Sequence, residues 1–286
     1  MRTFWIRTAS AAVYVALFLG AIYSGRLLHN NVLGGVILTA FALFVALGCA
    51  FEYYRMVQHM DFHPCKPIGY VMTTLMVLVV SSLGIEFDNL ANALFVCRLV
   101  FFWVGVVLLF LSLPLTLVVK LWGDGGHPFS DVLHTLLPVI YCALPLSLMP
   151  LLHYYANVLV MCVAMVWIND SFAYMGGSLV GRHKMWTKHS PGKTWEGTAI
   201  GVLACVAFGF FVGPLFVEAS CWYWLAMGLV CGVVGTLGDL VESMLKRAAG
   251  VKDSGSIMPG HGGFLDRFDS LLLILPVVTV LTVFIL

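Results

Sequence analysis

Long apolar runs separated by short polar breaks constrain this chain more than any other feature. A helix needs roughly 20 apolar residues to cross a ~30 Å hydrocarbon core. Nine stretches approach that length: Thr8 to Ser24, Val32 to Phe51, Ile68 to Leu83, Leu99 to Val119, Val132 to Leu152, Val158 to Val180, Gly197 to Phe216, Trp222 to Leu245 and Ser270 to Leu286. With 61% hydrophobic and only 10% charged residues, against ~45–50% and ~25% in soluble chains, there is too little charge to coat a surface in water. The expectation is an all-α polytopic membrane protein, a bundle of about nine transmembrane helices with a cytoplasm-facing polar cavity. The third run is short, and the fifth carries Pro138, Pro145 and Pro150, each of which removes a helix N–H. Arg2 and Arg7 precede the first run, which reads as a retained helix because it is long and lacks a clear small-x-small cleavage site.

Charge placement sets the orientation. With nine spans, the N-terminus and the loops after spans two, four, six and eight share one side, and 13 of the 15 Lys and Arg residues fall there, leaving Arg26 and Arg98 opposite. That asymmetry places the first side in the cytoplasm. A net charge of +1 gives no basic field for nucleic acid. The eight cysteines form no C-x-x-C pair and no zinc-spaced cluster, so they read as small buried apolar residues. Trp222, Tyr223 and Trp224 read as an interfacial aromatic belt. Gly228, Gly232, Gly235 and Gly238 read as a close-packing seam.

The chemistry concentrates in the second half. Asp170, Asp239, Glu242, Asp266 and Asp269 interrupt or adjoin apolar helices. A carboxylate at the centre of a membrane helix costs about 2.5–3.5 kcal/mol on insertion scales, so such groups face a polar cavity or a partner. Asp239 and Glu242 are three residues apart, as are Asp266 and Asp269, and i, i+3 residues share a helix face. Each pair can converge on one hard cation such as Mg²⁺, whose remaining ligands are waters and substrate phosphates. The alternatives are pairing of Asp239 and Glu242 with Lys246 and Arg247 one turn on, and helix-dipole compensation by Asp266 and Asp269. For Asp170, beside Asn169, the alternative is packing glue between helices.

Two cytoplasmic loops, Gly181 to Glu196 and Lys246 to Leu265, are long and rich in Gly, Lys, Arg and His. Arg182, Lys184 and Lys188 read as topology determinants or contacts to anionic lipid headgroups. Ser190-Pro191-Gly192-Lys193-Thr194 departs from a P-loop at Thr187, where that motif needs glycine; Thr194 instead suits a helix cap, leaving Lys193 to reach an anion. In Pro259-Gly260-His261-Gly262-Gly263 the glycines allow backbone N–H groups to approach a phosphate ahead of the last helix.

The run from Ser243 to Asp269, SMLKRAAGVKDSGSIMPGHGGFLDRFD, resembles the signature of phosphatidate cytidylyltransferases (CDP-diacylglycerol synthases), S-x-x-K-R, then K-D after four further residues, then H-G-G-x-x-D-R-x-D. Asn169 to Tyr174, Ser190 to Gly197 and Gly238 to Ser243 resemble other segments of that family, so motifs cover about residues 165 to 270. Met258 is a small departure, apolar where an aliphatic or Phe is expected. The resemblance implies a nucleotidyltransferase of phospholipid biosynthesis in the inner membrane, its N-terminus and active site facing the cytoplasm. It would join CTP and phosphatidic acid into CDP-diacylglycerol and pyrophosphate with Mg²⁺, and a second cation could share the site. It implies metal binding by Asp239, Asp266 and Asp269, aided by Glu242 and Asp253. Lys193, Lys246, Arg247, Lys252, Gly262, Gly263 and Arg267 would bind substrate, and His261 would donate to a phosphate oxygen or order its loop. Residues 156–286 would be the catalytic region and 1–155 N-terminal helices forming a lipid entrance or a homodimer contact. A CDP-alcohol phosphotransferase is disfavoured because its D-G-x-x-A-R pattern is absent. A transporter explains neither the charge asymmetry nor the H-G-G-x-x-D-R-x-D run.

Overall fold

The computed structural model describes residues 2–84, 92–121, 127–255, 257 and 262–286, with the side chains of 2–11 and 92–95 outside the description. The expected apolar runs fall on helices: α1 (Arg2–Leu27), α2 (Asn31–Gln58), α3 (Lys66–Ser81), α4 (Asn92–Lys120), α5 (Pro128–Pro138), α6 (Leu144–Ser147), α7 (Ala156–Val180), α8 (Trp195–Val212), α9 (Cys221–Ala248) and α10 (Leu265–Ile285). Among the described residues six helical stretches are long and apolar enough to cross a membrane, and two shorter apolar helices, Ala12–Leu27 and Lys66–Ser81, fall on the first and third runs. The fifth and sixth runs form one continuous stretch, Pro128–Val180. Its proline-bearing part breaks where the sequence predicts: α5 ends at Pro138, a π turn follows at Val139–Ala143, and Pro150 lies in a 3₁₀ segment, Met149–Tyr155. Pro cannot donate to the ladder, so the helix changes pitch at these points.

The chain divides into two units. The first comprises Met1–Tyr154 with Ala249–Leu265, the second Tyr155–Ala248 with Asp266–Leu286. In the first, α1 packs on α2, α2 on α3 and α3 on α4. α4 leaves Trp103, Phe110 and Leu111 exposed, surface that hydrocarbon accommodates and water does not. Five cysteines are buried, whereas Cys97 and Cys221 are exposed and Cys65 is intermediate.

In the second unit α7, α8 and α9 pack together through small residues, as membrane helices require in the absence of a hydrophobic driving force. The expected glycine seam is two-sided. A Cβ on Gly228 would lie 2.6 Å from Val206 Cα on α8, while one on Gly238 would lie 2.6 Å from the Asp269 carbonyl oxygen on α10. The aromatic belt is corrected: Trp222 is exposed, but Tyr223 and Trp224 are buried. Tyr223 Oη hydrogen-bonds Thr282 Oγ1 at 3.0 Å, and the Trp224 ring lies against Gly213. The expected loop at Gly181 to Glu196 holds a small antiparallel hairpin, β1 (Lys184–Trp186) and β2 (Ser190–Thr194), pairing Lys184 with Thr194 and Trp186 with Ser190.

Candidate active site

The second unit builds its polar centre from three helices and the hairpin. On α9, Asp239 and Glu242 stand on one face, and Asp269 comes from the second turn of α10. Oxygens of these three carboxylates all lie within 4.8 Å of one another. Close approach of α9 and α10 at Gly238 sets this geometry, since the helices meet there backbone to backbone.

One turn after Glu242, Lys246 Nζ lies 2.5 Å from Glu242 Oε2 and 2.6 Å from Asp266 Oδ1. Glu242 is buried, with 1% of its surface exposed, and a buried carboxyl group is costly without a partner; the Lys246 ammonium group is the one beside it. The Ser270 backbone N–H donates to Asp269 Oδ1 at 2.6 Å, and Ser243 Oγ donates to Asp239 Oδ1 at 3.4 Å. From the hairpin, Lys193 Nζ sits 2.5 Å from Asp239 Oδ2, both side chains remaining partly exposed. The next residue, Thr194, caps α8 by accepting from Gly197 N–H at 3.2 Å. Glu196 accepts from the backbone N–H groups of Arg182 and His183 and pairs with His183 Nδ1 at 2.5 Å. The hairpin is thus tied at both ends to the start of α8.

Asp239 and Lys193 open onto a cavity of about 480 Å³, also lined by Asn169, Asp170, Lys184 and Thr236. Asn169 Nδ2 donates to Thr236 Oγ1 at 3.0 Å, joining α7 to α9. The glue expected of this segment is therefore Asn169, and Asp170 faces the cavity. Lys184, read from sequence as a topology determinant, also lines it.

Of the residues the sequence nominates, Asp239, Lys193, Lys246, Asp266 and Asp269 converge in this unit. Their grouping differs from expectation: Glu242 joins Asp239 and Asp269 in the triad, whereas Asp266 holds Lys246. Arg247 and Arg267 are exposed. Lys252 and Asp253, also exposed, belong to the first unit. There Asp253 lines a recess of about 150 Å³ with Arg55 and His59. Gly262 has φ +81°, a left-handed conformation that favours glycine. His261 lies outside the described residues. Sequence reasoning missed Glu52 on α2, which is buried to 1% exposure. It is the first carboxylate in the chain, flanked by Phe51 and Tyr53 where the second apolar run ends, and that placement was the available signal.

Apolar helices of membrane-spanning length, with three carboxylates, two lysines and a polar cavity gathered in the second unit, define an all-α polytopic membrane protein. The chain belongs to the cytidylyltransferase family, whose profile matches residues 5–285. It is 47% identical over 120 residues to the phosphatidate cytidylyltransferase of Staphylococcus saprophyticus, covering 41% of this chain and 46% of the relative. The enzymes of that name from Staphylococcus haemolyticus and Staphylococcus aureus (strain COL) are 48% and 47% identical over the same coverage. The aligned part thus spans about half the length of these curated relatives.

Proposed function

We propose that this protein transfers a cytidylyl group from CTP to phosphatidic acid, releasing pyrophosphate and leaving CDP-diacylglycerol in the bilayer. The observation that carries this reading is the convergence of Asp239, Glu242 and Asp269 beside Lys193 and Lys246; membership of the cytidylyltransferase family and the named relatives support it.

The reacting groups are anions, and that decides what the protein must supply. A phosphate monoester has its second pKa near 6 and is already largely dianionic at neutral pH, so it needs no strong general base. One of its oxygens forms the new bond to the α-phosphorus of CTP, the bond from that phosphorus to the β-bridging oxygen breaks, and pyrophosphate departs with the electron pair. Positive charge near the triphosphate lowers the barrier to approach and departure. Lys193, on a hairpin strand at the cavity, is placed to bind phosphate oxygens, with Asp239 orienting its ammonium group. Lys246 is held between Glu242 and Asp266 and keeps both acids in place.

The triad fits a hard divalent cation: three oxygen donors, no nitrogen or sulfur, and one member opening to the cavity. Asp239, Glu242 and Asp269 would hold it, with Asp266 acting through Lys246. A bound Mg²⁺ supplies Lewis-acid neutralisation of phosphate oxygens. The positive-inside distribution of Lys and Arg supports an inner-membrane protein with its N-terminus and cavity on the cytoplasmic side. CTP would arrive from the cytosol and phosphatidic acid from the bilayer.

The test is conversion of radiolabelled CTP and phosphatidic acid by detergent-purified protein across a Mg²⁺ titration, beside Asp269→Asn. The expected outcome is metal-dependent CDP-diacylglycerol that the variant fails to make. Wild-type turnover in Asp269→Asn at every Mg²⁺ concentration would remove Asp269 from the metal set, and no product from folded wild type would overturn the activity.

A further inference from the structure

In the first unit one face of α2 is shaped to receive the end of the glycine-rich signature segment. Phe44, Gly48 and Glu52 recur every four residues and so stand in a column along one face. The ring of Phe264 meets Phe44 edge to face, with centroids 5.3 Å apart at 89°. It lies so close to α2 that a Cβ on Gly48 would reach its Cδ2 at 2.5 Å. At the foot of the column the Glu52 carboxylate accepts hydrogen bonds on both oxygens: Oε1 from Phe264 N–H at 2.9 Å, and Oε2 from Leu265 N–H at 2.9 Å and Ser254 Oγ at 3.0 Å. Gly255 and Gly263 press against the same carboxylate, which a Cβ at either position would strike. The second glycine of the H-G-G motif thus has a reason of its own beyond access for a phosphate.

Leu265 opens α10, so this carboxylate caps a helix start, where free N–H groups and the helix dipole favour an anion. Asp266 follows by one residue and Asp269 by one turn. We propose that Glu52 is a positioning residue of the cytidylyl-transfer site. By holding Ser254 at one end of the signature segment and Phe264 and Leu265 at the other, it fixes the register in which α10 begins and hence where its carboxylates stand. This inference rests on the proposed function for its catalytic consequence only; the anchoring itself does not depend on it.

The experiment is hydrogen exchange with mass spectrometry on the full chain in lipid nanodiscs, comparing wild type with Glu52→Gln and Ser254→Ala, together with CDP-diacylglycerol synthesis across a Mg²⁺ titration. Glu52→Gln preserves shape but replaces one acceptor oxygen by a donor. Its peptides spanning 262–269 should exchange at least roughly tenfold faster, while those of α7 and α8 stay unchanged. Turnover should fall by at least about tenfold, with a higher half-saturating Mg²⁺ concentration, because small misplacements of reacting groups are costly. Ser254→Ala, which deletes the side-chain hydroxyl bond to Glu52, should shift both readouts in the same direction by less, and it decides the matter should Glu52→Gln fail to fold. Unchanged exchange in the folded variants would overturn the anchoring. Faster exchange with wild-type turnover and Mg²⁺ midpoint would overturn the positioning role. If wild type makes no CDP-diacylglycerol the proposed function fails, and the exchange measurement alone judges the anchor.

Discussion

Gly238→Ala tests whether backbone contact between α9 and α10 sets the carboxylate geometry. The new Cβ would lie 2.6 Å from the Asp269 carbonyl oxygen and 2.8 Å from Ser270 Cα. Both neighbours are backbone, so no side chain can swing aside. Relief to an ordinary contact of 3.4 Å requires the helices to separate locally by about 0.8 Å. Overpacking of this kind costs about 1–3 kcal/mol, and at roughly 2–4 °C per kcal/mol that is a fall of several degrees in Tm. The effect on catalysis should be larger, because Asp239 follows Gly238 directly and Asp269 carries the displaced carbonyl. A shift near 1 Å at reacting groups costs on the order of 100-fold in rate. The assay is CDP-diacylglycerol synthesis at saturating CTP and Mg²⁺ in nanodiscs, with Tm measured on the same samples. Gly192→Ala, where an added Cβ meets nothing within 4 Å, controls for substitution of a site-region glycine. Gly238→Ala with a wild-type kcat would refute the reasoning, whatever its Tm.

Lys246→Met leaves Glu242 and Asp266 buried without their shared cation and should destabilise by about 3–5 kcal/mol, read as a drop in Tm in EDTA that added Mg²⁺ partly restores. Lys193→Gln breaks a partly exposed ion pair worth roughly 0.2–1 kcal/mol, so Tm should scarcely move while the KM for CTP rises. Thr194→Ala removes the α8 cap and should cost about 1 kcal/mol, visible as a small fall in Tm.

What the sequence makes legible is local. The apolar runs, the proline breaks after α5, the Thr194 cap and the same-face pair Asp239 and Glu242 all follow from residues that are contiguous or within a turn of one another in the chain. The hairpin was hidden because a three-residue strand is too short to display a period of two. Trp224 misleads because an aromatic at the start of a membrane helix reads the same whether it faces headgroups or packs on a neighbour, and its neighbour here is Gly213. The exchange of Glu242 for Asp266 in the triad has a similar origin. Both acids of α10 meet α9, Asp269 beside Asp239 and Glu242 and Asp266 at Lys246, and which of them joins the triad depends on where the helices touch, at Gly238 against the Asp269 carbonyl. Glu52 is the extreme case, its partners lying 202 to 213 residues away.

The balance of charge in the second unit explains why so many costly groups are tolerated together. Asp239, Glu242, Asp266 and Asp269 gather about Lys193 and Lys246, with Asp170 on the same cavity as Asp239, so carboxylates outnumber ammonium groups among these contacts. In a region of low dielectric such an excess is strongly unfavourable. The lysines do not compensate symmetrically: Lys246 is half-buried between Glu242 and Asp266, whereas Lys193 reaches Asp239 from the cavity side. Engagement of Lys193 with substrate would then deepen the deficit at Asp239 and Asp269. A divalent cation held by Asp239, Glu242 and Asp269 would offset that deficit by neutralising carboxylate charge. On this arrangement nucleotide and metal should bind cooperatively, each strengthening the site for the other.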